Sequence, residues 1–257
     1  MRARRKFNFG TPEQIAHEAA LVVTRAAFVN TRGVMPTVEK NVPERIRHSK
    51  SNLAVPFDVQ KCEMYPQKTV YILGGGPSLK GFDFTRLRDK FVIGCNDAYQ
   101  LGMDVVDVLF FGDKGWWDKH KDRVNAQYFN PVYSRHTFAN KRYLKTSEED
   151  LSDDPTSVVW HRNSGCASLN LALLYGATKI VLLGFDMQLG GDGNSNWHVN
   201  EVSKVAGHIY KAYLNGFAKM LPYIILKFGD VEIVNANPNS KLELFPKMEL
   251  EQALETY

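Results

Sequence analysis

Thr69-Val70-Tyr71-Ile72-Leu73-Gly74-Gly75-Gly76-Pro77-Ser78-Leu79-Lys80 reads as a buried strand running into a glycine turn and then into the start of a helix. The apolar run over residues 70–73 suits a central parallel strand, which is covered on both faces. Three successive glycines permit positive φ and let a ligand approach the backbone, and Pro77 is preorganised for a first helical position. Free N–H groups at such a start attract a phosphate, so Gly74, Gly75, Gly76, Pro77 and Ser78 are candidate nucleotide contacts. Two stricter motifs do not fit. The dinucleotide fingerprint needs a small residue where Leu79 stands, and a Walker pattern from Gly76 to Gly81 continues with Phe82 where lysine is required. A tight turn with no ligand is the competing reading of the glycines alone.

Further strands are expected downstream, several with a polar residue at the carboxyl end. Residues 91–97 form one and finish at Asn96 and Asp97; residues 107–113 form another and finish at Asp113. Open parallel sheets bind ligands beyond the carboxyl ends of their strands, which puts these three side chains on the same crevice as the glycines. Trp116 and Trp117 follow, and adjacent positions point different ways, so at most one stacks on a ligand; core packing accounts for either. A strand over 157–160 precedes Asn163, Ser164 and Gly165, which open an amphipathic helix ending at Gly176. Ser164 at that helix start is either an anion contact or a plain N-cap. Residues 179–187 are a strand ending at Asp186, and residues 188–197 are a polar, glycine-rich loop long enough to act as a mobile lid, carrying Asp192, Asn194 and Asn196. After His198 comes a helix over 202–221 with His208, Tyr210 and Tyr213, then a strand over 231–234 and a short exposed helix over 249–257. Residues 119–155 show no clear pattern and stay unassigned. This order of elements is an α/β fold, a Rossmann-like, mostly parallel sheet with helices on both faces, over residues 68–248.

Residues 1–67 differ in character. A capped helix is expected from Thr11, with Ile15, Ala19, Val22, Val23 and Ala26 on one face, followed by an arm broken by Pro36, Pro43, Pro56 and Pro66. Arg45, Arg47, His48 and Lys50 cluster there, read first as a solvated surface; nucleic-acid contact or packing of the arm on another subunit of a homo-oligomer stay open. With 257 residues, 44% of them hydrophobic and 12% aromatic, the chain buries a large core and is not disordered over most of its length. A formal charge of +4 is too mild to imply nucleic acid by itself. Cys62, Cys95 and Cys166 are far apart and in no CxxC spacing, which argues against a disulfide framework or zinc site and fits reduced cytoplasm. No apolar run is long enough for a membrane span, and the basic start lacks the apolar segment of a signal peptide.

Taken together, Gly74-Gly75-Gly76-Pro77-Ser78-Leu79-Lys80 with Asp83 downstream, Cys95-Asn96-Asp97, Phe110-Phe111-Gly112-Asp113, Ser164-Gly165 and Leu183-Gly184-Phe185-Asp186 resemble, in order, the bacterial sialyltransferase family and the wider group of sialyltransferase-like and pterin-pyrophosphokinase-like proteins of bacteria, archaea and phages. The likeness covers about residues 70–240 and nothing before 67, and the first turn is its specific part. It implies a variant Rossmann transferase that holds a cytidine nucleotide sugar without an essential metal and uses a histidine as base. Gly75 stands where that family often has asparagine, Asn96 and Asp113 at its second and third nucleotide-contacting positions, and Ser164 at its nucleotide-contacting serine. The family's lid carries tyrosines that hydrogen-bond the leaving phosphate, whereas residues 188–197 contain none.

The expected activity is therefore transfer from a nucleotide-sugar donor, a CMP-sugar or another, to a hydroxyl of a glycan, a protein, a modified DNA base or a small molecule. Such a reaction needs hydrogen-bond donors around a phosphate gaining charge, a base with pKa near neutrality and a site that excludes water. Histidine is the natural base because its unperturbed pKa is ~6.5, so His198 is the expected base, with His208 behind it, and Asp113 is the second candidate catalytic residue. A competing arrangement brings Asp97, Asp113 and Asp186 together on Mg2+, which would favour a pyrophosphokinase moving diphosphate from ATP to a hydroxymethyl group. A nucleotide-binding accessory protein without chemistry is a third class.

Overall fold

The computed structural model describes residues 69–138, 141–198 and 207–257. The helix and arm expected over residues 1–67, and with them the oligomeric contact, lie outside the described residues. The sheet begins with β1 (Thr69–Leu73), every residue of it buried, as an apolar strand flanked on both edges must be. β2 (Val92–Cys95), β3 (Val108–Phe111), β4 (Val132–Ser134) and β5 (Arg142–Tyr143) step outward on one side of β1; β8 (Lys179–Leu183) and β9 (Glu232–Asn235) lie on the other. All six pairings are parallel, giving the order β5-β4-β3-β2-β1-β8-β9. This is the expected Rossmann-like α/β sheet. β6 (Lys145–Thr146) and β7 (Ser157–Val158) pair apart from it in a small parallel sheet.

Alternation along the strands divides the core between two faces. Tyr71, Leu73, Leu109, Phe111, Val181 and Leu183 pack with Trp116, Trp117 and Val124 of α1 (Lys114–Gln127) and with Ala253 and Leu254 of α4 (Leu250–Thr256). The opposite face meets α2 (Ser164–Leu174), against which α3 (Gly207–Phe228) packs. Both tryptophans thus belong to the core, and Phe111 stacks on Trp117 with ring centroids 4.8 Å apart. The C-terminal helix forms where expected, with Glu251, Gln252, Glu255 and Thr256 exposed, but Ala253 and Leu254 are drawn into the same apolar cluster.

Other boundaries differ from the sequence reading for local reasons. No long helix follows the glycine turn: Pro77–Leu79 is a single 3-10 turn. The strand at 91–97 stops at Cys95, since Asn96 takes a left-handed φ of 51° and opens a 3-10 helix, Asn96–Leu101. The strand at 179–187 stops at Leu183, because Gly184 turns the chain with φ 69°. The unassigned stretch 119–155 holds most of α1 and three strands of two or three residues, too short to show a period.

Candidate active site

The carboxyl ends of β1, β2, β3 and β8, the start of α2, residues 195–198 and one side of α3 surround a cleft of about 380 Å³. It opens beside the junction of β1 with β8, where the strand order reverses, which is the place open parallel sheets offer to ligands. Gly74, Gly75, Gly76, Pro77, Asn96, Asp97, Asp113, Ser164, Gly165, Asp186, Asn196 and His198 all line it; Ser78, Asp192, Asn194 and His208 do not.

The glycine turn serves the protein's own chain first. Gly74 N donates to Leu183 O and Gly76 N to Gly184 O, both at 2.8 Å, which stitches β1 to the end of β8. A Cβ on Gly76 would stand 1.7 Å from Asp186 Oδ2, so the close approach this glycine permits is that of a carboxylate. Asp186 accepts from Ser78 N at 3.0 Å, Ser78 Oγ at 2.9 Å and Asn237 Nδ2 at 2.9 Å. The polar groups of Ser78, expected on a phosphate, are occupied by that internal acid instead. Burial raises the pKa of Asp186, while its hydrogen bonds to Ser78 and Asn237 pull the other way.

Along the cleft, Ser164 Oγ donates to Asn96 Oδ1 at 3.2 Å, joining two residues that the sequence reading placed on one nucleotide. Ser164 is free for this because Asn163 is the N-cap of α2, accepting from Gly165 N at 2.8 Å. Gly165 lets Phe185 pack against the helix start: a Cβ there would be 2.5 Å from Phe185 Cε1. Asp97 is engaged from within, accepting from Trp116 Nε1 and Gln100 Nε2 at 3.0 Å each, with His120 3.7 Å away. Asp113 caps α1 by accepting from Trp116 N at 3.0 Å. Among the described residues no three acids, histidines or cysteines gather as metal ligands, and Asp97 and Asp186 each spend both oxygens on protein donors.

Residues 188–197, expected as a mobile lid, are tied down. Asp192 pairs with Lys80 at 2.7 Å and folds back on Asn194. Gln188 Nε2 donates to Asn239 O at 2.7 Å, Trp197 Nε1 to Gly74 O at 3.0 Å and Trp197 N to Gly75 O at 3.0 Å. The Trp197 ring wedges against Phe84, with centroids 4.7 Å apart, and meets His198 edge to face at 4.7 Å. His198 is thereby held half-buried over the glycine turn.

Among the further side chains on the walls are four that the sequence did not single out as site residues, Trp160, Arg162, Tyr210 and Tyr213. Trp160 lies over Gly112, where a Cβ would be 1.8 Å from Cζ3, and carries the Arg135 guanidinium 5.1 Å from its ring centre. The next two residues, His161 and Arg162, both take left-handed φ, 37° and 56°, and Arg162 reaches the cleft. Consecutive non-glycine residues in that region are strained and collect at functional sites. Tyr210 and Tyr213, one helical turn apart on α3, line the cleft. Tyr210 Oη is buried without a hydrogen-bond partner among the described residues, and burial raises both phenol pKa values, with Asp186 adding to that of Tyr210 and Asp113 to that of Tyr213. Their i, i+3 spacing was the one visible signal.

No protein-family model matches the chain, and no curated protein sequence does. Among solved structures the chain is similar to a monofunctional alpha-2,3-sialyltransferase of Campylobacter jejuni, with 18% identity over 71% of this chain and 81% of that one and a TM-score of 0.43. It is also similar to an alpha-2,3-sialyltransferase of Campylobacter jejuni in its apo form, with 18% identity over 72% of this chain and 81% of the other and a TM-score of 0.40.

Proposed function

We propose that this protein is a glycosyltransferase that holds a nucleotide-sugar donor in the cleft and uses His198 as the base on an acceptor hydroxyl. The observation that carries the reading is the pairing of Ser164 with Asn96 on one wall while His198 stands over the glycine turn on another. A polar pair at the strand ends suits the donor nucleotide, and an imidazole suits proton removal from a hydroxyl. In the reaction the acceptor O–H gives its proton to His198 as its oxygen bonds to the anomeric carbon, and the bond from that carbon to the donor phosphate breaks. The departing phosphate gains negative charge. Arg162 and Lys119, cations on the cleft wall, and the Tyr210 hydroxyl supply the compensation, so the proposed chemistry needs no essential metal. The donor is a CMP-sugar or a related nucleotide sugar, and the acceptor is a hydroxyl of a glycan, protein, modified base or small molecule.

A thermal-shift panel of CMP, CDP, UDP, GDP and ATP derivatives, each with and without Mg2+, tests the donor class, since a ligand bound only by the folded state raises its melting temperature. A cytidine or uridine nucleotide is expected to stabilise the protein without Mg2+. Stabilisation by ATP alone, and only with Mg2+, would move the assignment to diphosphate transfer. His198→Ala is expected to lower turnover, followed as free nucleotide, by at least ~100-fold with donor affinity nearly intact. Turnover like that of the wild type would remove His198 from the role.

A further inference from the structure

Gly75 is not a glycine for the sake of its backbone, because its φ lies outside the left-handed region. What it leaves empty is space. A Cβ at residue 75 would stand 2.7 Å from Asn196 Oδ1, 3.6 Å from Asn196 Cγ and 3.8 Å from His198 Nε2. The room a side chain would take is thus filled from the other direction, by the carboxamide of Asn196. That carboxamide is held in place: Asn196 Nδ2 donates one N–H to Ser195 Oγ at 3.1 Å, and the next residue is fastened to Gly74 O and Gly75 O through the backbone and indole of Trp197. A second N–H of Asn196 Nδ2 remains, on a residue that lines the cleft.

In open parallel sheets the phosphates of a nucleotide lie at the turn that follows the first strand. Here that turn has spent most of its own donors. Gly74 N, Gly76 N and Leu79 N bond to backbone carbonyls, and Ser78 N to Asp186. A phosphate arriving at this turn therefore meets few backbone donors, Gly75 N among them, and a side chain must add to these; Asn196 is the neutral donor seated there. We infer that Asn196 is a ligand-binding residue whose carboxamide, lodged in the space Gly75 leaves open, donates to the phosphate of a bound nucleotide beside His198. The inference rests on the nucleotide reading of the cleft.

The test is calorimetric titration of the whole protein with CMP and UDP, each variant first checked for a cooperative melt. Asn196→Ala is expected to weaken binding about tenfold, the worth of one hydrogen bond to a charged group. Gly75→Ala is expected to do the same, because its methyl evicts the amide, and the double variant is expected to be no weaker than either single one within about twofold, as for two changes that remove one contact. Asn196→Asp keeps the shape but sets a carboxylate against the phosphate, so it is expected to bind more weakly than Asn196→Ala. Gly191→Ala, where the added carbon meets nothing within 4 Å, is expected to bind like the wild type. Additive losses, or an Asn196→Asp protein that binds as well as the wild type, would overturn the inference and leave the nucleotide reading standing. A wild-type protein that binds neither probe would overturn both. If Gly75→Ala does not fold, the two Asn196 variants decide.

Discussion

Asp186 brings a carboxyl group to 5% exposure between the glycine turn and Asn237, and burial moves its pKa upward. An acid whose pKa is higher in the fold than in the unfolded chain contributes its full stability below the unfolded value. That contribution is lost as pH rises through the folded value. Asp186→Asn removes the titration and fits the same contacts: Oδ1 keeps the two N–H donors, and the new Nδ2 donates to Ser78 Oγ, which accepts. The melting temperature of Asp186→Asn is therefore expected to gain on that of the wild type as pH rises from about 4 to about 7, starting at the ordinary carboxylate range. A difference that does not grow with pH would show that this carboxyl does not titrate as its burial implies. Asp186 was visible in the sequence as an acid ending an apolar strand; its partner was not. Ser78 lies 108 residues earlier, and its hydroxyl looks the same whether it awaits a phosphate or holds an aspartate. Asn96 and Ser164 were the opposite case, since helix-start and strand-end patterns place each of them independently on the cleft.

Helix α3 runs through Pro222, where the hydrophobic pattern alone suggested a stop at Leu221. Proline inside a helix removes one hydrogen bond and crowds the preceding turn. The helix continues because its packing outweighs that cost. Phe217, Met220 and Ile224 are buried along one side. Beyond the proline, Lys227 Nζ donates to Leu151 O at 2.6 Å and to Asp153 at 3.2 Å, and it also pairs with Glu149. Pro222 itself is exposed, so Pro222→Ala has no core contact to lose and regains a donor. It is expected to raise the denaturant midpoint, by a free energy of up to ~3 kcal/mol. An unchanged or lower midpoint would mean that the backbone has already relaxed around the ring. Element type was readable wherever an apolar run or a period lasted long enough, as in β1, β8 and α2. β4 and β5, with three and two residues, leave no periodic trace, so the far side of the main sheet could not be drawn from the sequence, whereas β7 falls within the strand expected over 157–160.

Contacts divide the chain into Met1–Val59 and Gln60–Tyr257, and all nine described strands fall in the second unit. Among the described residues, the apolar cluster that joins β1, β8, α1 and α4 lies in that unit. A chain of residues 60–257 is therefore expected to unfold in one cooperative transition, within a few degrees of the full-length protein when both are followed by circular dichroism. A broad, non-cooperative melt would show that residues 1–59 contribute to this core. The class of fold followed from the alternation of apolar strands with helical segments. The position of β8 beside β1 did not, because strand order depends on which crossover the chain makes, and no single stretch records that choice.

That neighbour relation sets a timetable. Thr69 pairs with Lys179, so during synthesis β1 leaves the ribosome long before the strand that closes its second edge has been made. Every pairing in the main sheet is parallel, so no hairpin can shelter the early strands in the meantime. The nascent chain carries an open, largely apolar edge until β8 arrives, which makes the interval before residue 183 the period in which this protein most depends on being kept from its neighbours.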